Sequence, residues 1–165
     1  ALPISAAPEF GDRFVLGSST EVADMFAAGA PSLFVEDART WVVPVPEDLR
    51  ESLKAGLSEE THAGIDAGYV ALLQTCPHAG CKAPQCVSSG WFECGCHGSK
   101  FSTYGEYRSG PSPRGMDRMA LVMEGDDIIL ETAVVIEGLP READLTGNVA
   151  AGPNCFDDAG NEIEA

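Results

Sequence analysis

The sequence predicts an all-β domain with one short helix. Most of its apolar stretches are short and end at turn residues, which is typical of strands. With 165 residues, 44% of them hydrophobic, the chain can bury the core of one domain. No uninterrupted apolar run approaches the roughly 18 residues that a membrane-spanning helix needs, so no such span is expected.

Six segments are predicted as strands because each is short, apolar and bounded by turns. The turn Glu124-Gly-Asp-Asp127 separates the last two of them. Residues 140–165, which are rich in Asp, Glu, Gly and Asn, are predicted to be an irregular tail. The predicted strands are Arg13–Leu16, Ser32–Val35, Trp41–Val45, Tyr69–Leu73, Met119–Met123 and Ile128–Ile136.

The one helix is predicted directly after the third strand. Pro46 suits a first helical position, and Glu47 and Asp48 then place negative charge in the first turn. Gly56 marks the end of the segment. Its apolar face is formed by leucines that recur every four residues, Leu49, Leu53 and Leu57.

Two boxes of cysteine and histidine carry the chemistry of this chain. Two thiolates with two imidazoles suit either a zinc site or a mixed-ligand [2Fe–2S] centre. Zinc sites usually space their ligands as Cys-x-x-Cys and His-x(3–5)-His, a pattern that these boxes do not follow. The boxes read Cys76-Pro-His78-Ala-Gly-Cys81 and Cys94-Gly-Cys96-His97-Gly98-Ser99.

The boxes, together with Gly-Pro-Ser-Pro at 110–113, resemble the Rieske iron–sulfur proteins, in particular those of cytochrome bc complexes. The resemblance is close over residues 76–113 and loose elsewhere. It implies that residues 1–165 are a single Rieske domain with an antiparallel β-sandwich or barrel. It also implies that residues 74–113 are a cluster-binding subdomain inserted between two strands of that domain.

The resemblance implies a set of iron ligands. Cys76 and Cys94 would hold one iron of a [2Fe–2S] cluster as thiolates, and His78 and His97 would hold the other as imidazoles. Imidazoles in place of thiolates leave the cluster less negative, which raises its potential to about −150 to +300 mV from roughly −400 mV. Both histidines would face solvent, with His97 in contact with quinol.

Residues around the ligands also have counterparts in the family. Ser99 resembles a serine that donates a hydrogen bond to a bridging sulfide, and Gly98 belongs to the same loop. Phe101 stands where bc-type proteins commonly carry a tyrosine that donates to a ligand sulfur, so one donor is missing here. The proline loop would cover a third side of the cluster, and its family-like residues are Gly110, Pro111 and Pro113.

Four cysteines outside the ligand set are expected to form disulfides. By resemblance, Cys81 and Cys96 would clamp the two cluster loops together. Cys86 and Cys155 then remain, and an even remainder in an oxidising compartment indicates a second bridge. Two separate thiols are the alternative for that pair.

The resemblance implies one-electron transfer from quinol, with a cytochrome b-type subunit as partner and a c-type cytochrome or cupredoxin as acceptor. The domain would lie on the extracytoplasmic (periplasmic) side of a membrane, tethered by an N-terminal anchor that this chain lacks. The isolated domain would have no turnover. The alternatives are the Rieske subunit of an arsenite oxidase, a Rieske ferredoxin serving an oxygenase, and a structural zinc module.

The charge distribution excludes nucleic acid as a partner. The net charge is −16, yet residues 76–118 hold five basic and three acidic residues. The segment with the boxes is therefore nearly neutral on an acidic body, which is the opposite of a nucleic-acid-binding surface. The acidic remainder is expected to be a solvated face.

Overall fold

A six-stranded antiparallel sheet organises the fold in the computed structural model, which describes residues 7–164. The order across this sheet is β1-β9-β8-β4-β3-β2, and a second, three-stranded antiparallel sheet has the order β5-β6-β7. The strands of the described part are β1 (Arg13–Ser18), β2 (Leu33–Val35), β3 (Thr40–Pro44), β4 (Tyr69–Leu73), β5 (Phe92–Glu93), β6 (Lys100–Phe101), β7 (Tyr107–Ser109), β8 (Arg118–Glu124) and β9 (Asp127–Ile136).

Strand β4 separates two hydrophobic cores, and all five of its residues are buried. Val70 and Leu72 point into a core that also contains residues of the helices and of the segment that carries the two boxes. Tyr69, Ala71 and Leu73 alternate to the other face and join a core to which all six strands of the large sheet contribute. Strands of one sheet can share a core in this way only if the sheet curls around it.

The segment that carries the boxes lies between two neighbouring strands. Residues 74–117 leave β4 and return at β8, and these strands pair through Ala71 with Met119 and Leu72 with Arg118. The segment contains the whole second sheet. Its base is anchored in the first core, where Phe92 and Phe101 pack with side chains of β3 and β4. The large sheet therefore holds both ends of the segment close together.

The predicted β class is confirmed, and each of the six predicted strands corresponds to a strand of the large sheet within two residues at either end. The turn at Glu124–Asp127 is also present, because those two residues pair as the last step between β8 and β9. The three short strands of the second sheet were not predicted. Two or three residues are too few to show a period of two.

The prediction of one short helix was wrong, because the described residues contain three α-helices. The predicted one is present as α2 (Glu47–Gly56), with Pro46 at the N-cap rather than at the first position. The two missed helices, α1 (Ser19–Ala27) and α3 (His62–Ala67), bury only one and two residues. Helix α3 has only six residues, too few to show a helical period, whereas α1 carries Val22, Met25 and Phe26 at helical spacing, a signal that the prediction missed. Within residues 7–164, no helix is long and apolar enough to cross a membrane.

Helix α1 begins with a capping box, and substitution of its cap residue should change the stability of the protein. The Ser18 hydroxyl accepts a hydrogen bond from the Glu21 backbone at 3.2 Å, and the Glu21 carboxylate accepts one from the Ser18 backbone at 2.7 Å. We expect Ser18→Ala to lower the free energy of unfolding by about 1 kcal/mol in denaturant titrations. Thr20→Ala, at an exposed helical position, is the control and should cause no loss because alanine favours helix. Equal losses in both variants would contradict a specific role for the cap.

Candidate metal centre

The two boxes form loops with the same backbone hydrogen bonds. In the first, here called loop 1 (residues 76–81), the Cys76 N–H donates to the Cys81 carbonyl at 2.7 Å and the Gly80 N–H donates to the Cys76 carbonyl at 3.0 Å. In loop 2 (residues 94–99), Cys94 and Gly98 repeat both bonds, at 2.9 and 3.1 Å. The fifth residue has a φ of +81° in each loop, a value that favours glycine.

A third loop has the same pattern although it holds no predicted ligand. In loop 3 (residues 86–91), the Cys86 N–H donates to the Trp91 carbonyl at 2.7 Å and the Gly90 N–H donates to the Cys86 carbonyl at 2.9 Å. Gly90 has a φ of +73°. All three loops thus begin with a cysteine and close over a glycine, so a shared backbone turn presents each of these sulfurs.

Three pairs of side chains join loop 1 to loop 2. Cys81 and Cys96 form the predicted disulfide, with Cα atoms 6.5 Å apart. The rings of His78 and His97 meet edge to face, with centroids 4.9 Å apart, and both residues are exposed. The remaining pair consists of the two free cysteines of the described chain, Cys76 and Cys94, which are buried. The structure thus pairs the two predicted thiol ligands on the buried side of the loops and the two predicted imidazole ligands on the exposed side.

The buried thiols are in a low-dielectric environment. Burial raises the pKa of the Cys76 thiol to about 11, with the nearby Cys94 contributing to the rise, while hydrogen bonds to the His78 backbone and the Ser99 side chain oppose it. A metal must therefore displace a proton from this sulfur on binding. Two shielded thiols beside two accessible imidazoles fit the donor set of a mixed-ligand iron–sulfur cluster.

Ser99 and the proline loop (residues 110–113) pack directly on one another. The Ser99 hydroxyl accepts a hydrogen bond from the Ser112 N–H at 3.0 Å, which leaves its own proton to donate. A Cβ atom at Gly110 would lie 2.5 Å from the Ser99 Cα, so only glycine allows this approach. Pro111 and Pro113 are exposed beside this contact. The role of Ser99 toward a cluster sulfide stays a prediction.

Phe101 is fully buried in the core that also contains Cys76 and Cys94. Two nearby phenols could have replaced the missing tyrosine. Tyr107 is occupied, because its hydroxyl donates to the Gly110 carbonyl at 2.6 Å. Among the described residues, no hydrogen bond joins the Tyr104 phenol to Cys76. Neither tyrosine substitutes for a hydroxyl at position 101.

The C-terminal segment (residues 140–164) reaches the metal centre, as the predicted Cys86–Cys155 bridge implied. It contains no helix or strand in its described part, yet the predicted Cys86–Cys155 disulfide ties it to loop 3, with Cα atoms 5.8 Å apart. Two fully buried glutamates hold it as well. Glu106 accepts hydrogen bonds from Leu145 and Thr146, and Glu93 accepts them from residues 154–156. Neither glutamate stands out in the sequence, because an acidic residue in a short segment usually indicates an exposed face.

The family model of the Rieske [2Fe–2S] domain matches residues 42–124, which is half of the chain. The chain belongs to the Rieske family. The match begins in β3 and ends with β8, so it covers both boxes, the second sheet and the proline loop. Residues 125–164, including the C-terminal segment, lie beyond it.

Two curated relatives are named as subunits of cytochrome b6-f and cytochrome b-c1 complexes. The chain is 33% identical over 110 residues to the cytochrome b6-f complex iron-sulfur subunit of Synechococcus sp. (strain JA-2-3B'a(2-13)), covering 61% of this chain and 64% of the relative. It is 34% identical over 93 residues to the mitochondrial Rieske subunit of the Saccharomyces cerevisiae cytochrome b-c1 complex, covering 52% and 43%. The match thus spans less than two thirds of either relative.

A solved structure supports the fold. The soluble domain of Rieske protein II from Sulfolobus acidocaldarius superimposes with a TM-score of 0.51 at 18% identity, covering 79% of this chain and 83% of that one. The Rieske β-architecture that the boxes implied is thereby confirmed. The predicted [2Fe–2S] cofactor is confirmed separately, by the match to the family model.

The two disulfides should be detectable in the isolated protein. Digestion without reductant should give one linked peptide pair that contains Cys81 and Cys96 and another that contains Cys86 and Cys155. Mass spectrometry before and after reduction checks this expectation. Alkylation of all four residues without prior reduction would contradict both bridges.

Proposed function

We propose that this chain is the electron-transfer subunit of a quinol-oxidising, cytochrome bc-type complex. Its family membership and its likeness to cytochrome b6-f and b-c1 subunits support this function. The observation that carries it is the arrangement of the boxes, in which two buried thiols lie behind two exposed imidazoles. Electrons can then enter and leave the site through the exposed imidazoles, while the buried thiols stay shielded from water.

Four side chains would hold the cluster. Cys76 and Cys94 bind one iron as thiolates from the first core, and His78 and His97 bind the other from the surface. A bound cluster supplies a one-electron carrier whose potential is raised by its two neutral ligands. Residues 74–113 act as the cluster-binding unit of a single domain, with the Cys81–Cys96 disulfide holding loops 1 and 2 face to face.

His97 would be the contact to quinol. Its ring is exposed at the end of loop 2, so its outward nitrogen can accept a hydrogen bond from the quinol hydroxyl and hold the proton. A cytochrome b-type subunit would supply the rest of the quinol pocket, which is why the isolated domain has no turnover. The electron would then pass to a c-type cytochrome or a cupredoxin.

The compartment follows from the disulfides. Two bridges, both at the metal centre, form and persist in an oxidising environment. We therefore place the domain on the extracytoplasmic side of a membrane, attached to its complex. The nearly neutral boxes are the part of the acidic surface that docks against partners.

The ligand assignment is tested by removing one donor at a time. Changing Cys76, His78, Cys94 or His97 to Ala should abolish the visible absorption and the EPR signal of the reduced protein. Iron and acid-labile sulfide should be lost with them. His62→Ala is the control: its Nε2 lies 3.0 Å from the carbonyl oxygens of Lys54 and Leu57, remote from the boxes in the sequence, so the cluster should persist. An intact mixed-ligand signal in the Cys94→Ala protein would refute the assignment.

The proposed function itself is tested with the complex. In a membrane preparation that contains the cytochrome b-type subunit assembled with this chain, added quinol should reduce the Rieske cluster. The EPR signal of the reduced cluster should then appear. The same complex with His97→Ala serves as the cluster-free control, in which quinol should produce no Rieske signal. Reduction of the isolated chain by quinol at the same rate as in the complex would show that no partner pocket is needed.

Phe101→Tyr should raise the midpoint potential. A hydroxyl at this buried position could donate to the Cys76 sulfur, and a donor stabilises the more electron-rich reduced state. A net hydrogen-bond energy of about 0.5–1.5 kcal/mol corresponds to roughly 20–65 mV for one electron. Voltammetry of the intact protein measures this shift. Phe92→Tyr, on the paired strand, is the control, and an equal shift there would mean that the hydroxyl acts only through general polarity.

A further inference from the structure

We propose that residues 154–161, here called the strap, are a positioning element of the cluster site, and that Glu93 is the residue that holds the strap in place. The inference rests on the proposed function, because it concerns the loop that would carry His97. The strap would cover a further side of the cluster site, and it lies outside the residues that match the Rieske family model.

Glu93 connects the strap to the base of loop 2. It is fully buried at the end of β5, directly before Cys94. One carboxylate oxygen accepts hydrogen bonds from the Ser89 hydroxyl at 2.7 Å and the Asn154 amide at 2.8 Å. The other accepts the backbone N–H groups of Cys155 at 2.8 Å and Phe156 at 3.0 Å. Three of these four donors belong to the strap, and hydrogen bonds to a carboxylate are among the stronger ones.

The strap lies against loop 2, with direct backbone contact at two points and a side-chain ring at a third. A Cβ atom at Gly98 would lie 2.5 Å from the carbonyl oxygen of Asp158. A Cβ atom at Gly160 would lie 2.8 Å from the carbonyl carbon of Cys96, and one at Gly95 would lie 2.9 Å from the Phe156 ring. These glycines therefore permit a contact that any larger residue would push apart, on both sides of His97.

Lys100 fastens the two backbones to one another from the inside. Its ammonium group is buried and donates to the Gly98 carbonyl at 3.2 Å and to the Asp157 carbonyl at 3.3 Å. One side chain thus bonds to loop 2 and to the strap. The Cys86–Cys155 disulfide attaches the start of the strap to loop 3. The strap is held at its start, along its length and against the loop.

This arrangement would affect the cluster in two ways. The strap covers the peptide groups on either side of His97, so it limits the motion of the imidazole and keeps water from that side of the loop. The exclusion of water also disfavours the more negative reduced cluster, whereas the charges of Asp158 and Lys100, which lie 3.6 Å apart, largely offset each other. A docked strap therefore lowers the midpoint potential and narrows the range of His97 orientations.

Glu93→Gln is the first test, because glutamine keeps the volume but weakens the hydrogen bonds to the strap. The midpoint potential should rise, and the EPR line shape of the reduced protein should change. Hydrogen exchange at the amides of Cys96, His97 and Gly98 should accelerate by at least about tenfold, the effect of losing one hydrogen bond to a charged group. Glu106→Gln is the matched control: it is equally buried but holds Leu145 and Thr146, so it should lower stability and leave the potential and the spectrum unchanged.

Phe156→Ala separates positioning from charge, since Glu93→Gln also removes a nearby negative charge. This neutral change removes the ring that lies on Gly95, so it should shift the potential and the exchange rates in the same direction. It also decides the matter if the Glu93 variant does not fold. A shift confined to Glu93→Gln, without faster exchange in loop 2, would overturn the proposal, as would faster exchange of the strap with an unchanged spectrum and potential. Absence of a Rieske signal in the wild-type protein would instead refute the proposed function.

Discussion

The metal centre depends on one constraint, which is that loops 1 and 2 face each other at a fixed separation. Neither loop holds a complete set of the predicted ligands, because each contains one free thiol and one exposed imidazole. The large sheet brings the ends of residues 74–117 together, the second sheet supports loop 2, and the Cys81–Cys96 bond closes the tip. The proline loop and the C-terminal segment then pack on loop 2. Each of these features acts on the same gap between two cysteine–histidine boxes.

The chemistry of the site could be predicted from the sequence because it depends on residue types at short spacings. Cys76-Pro-His78 and Cys94-Gly-Cys96-His97 specify donors within a few residues of each other, and the family pattern supplies the pairing of Cys81 with Cys96. The remaining bridge followed from counting alone, and Cys155 is indeed joined to Cys86. Chemistry of this kind is local, so it needs no knowledge of how the rest of the chain folds.

What the sequence could not predict depends on contacts between distant residues or on very short elements. Helix α3 has only six residues and is too short to show a period, and the start of α1 depends on the hydrogen bonds between Ser18 and Glu21. The burial of Glu93 is a tertiary effect, since three of its four donors lie 61 to 63 positions further along the chain. A charged residue surrounded in this way has the same local sequence as one in solvent. The C-terminal segment was predicted to be irregular and tied down by the Cys86–Cys155 bridge, but its hydrogen bonds to the buried Glu93 and Glu106 were not predicted.

Loop 3 shows that the backbone turn and the fate of its sulfur are independent. The same closure, with a cysteine first and a glycine fifth, occurs at Cys76, Cys86 and Cys94, yet only the middle one is oxidised. The same turn can therefore hold a cysteine sulfur for different purposes. Whether that sulfur becomes a metal ligand or part of a disulfide depends on which residue faces it. In a relative that gains a C-terminal extension, a single cysteine on that extension would suffice to form a disulfide with the cysteine of such a turn. Covalent attachment could then be added to the domain without disturbing the two loops that serve the metal.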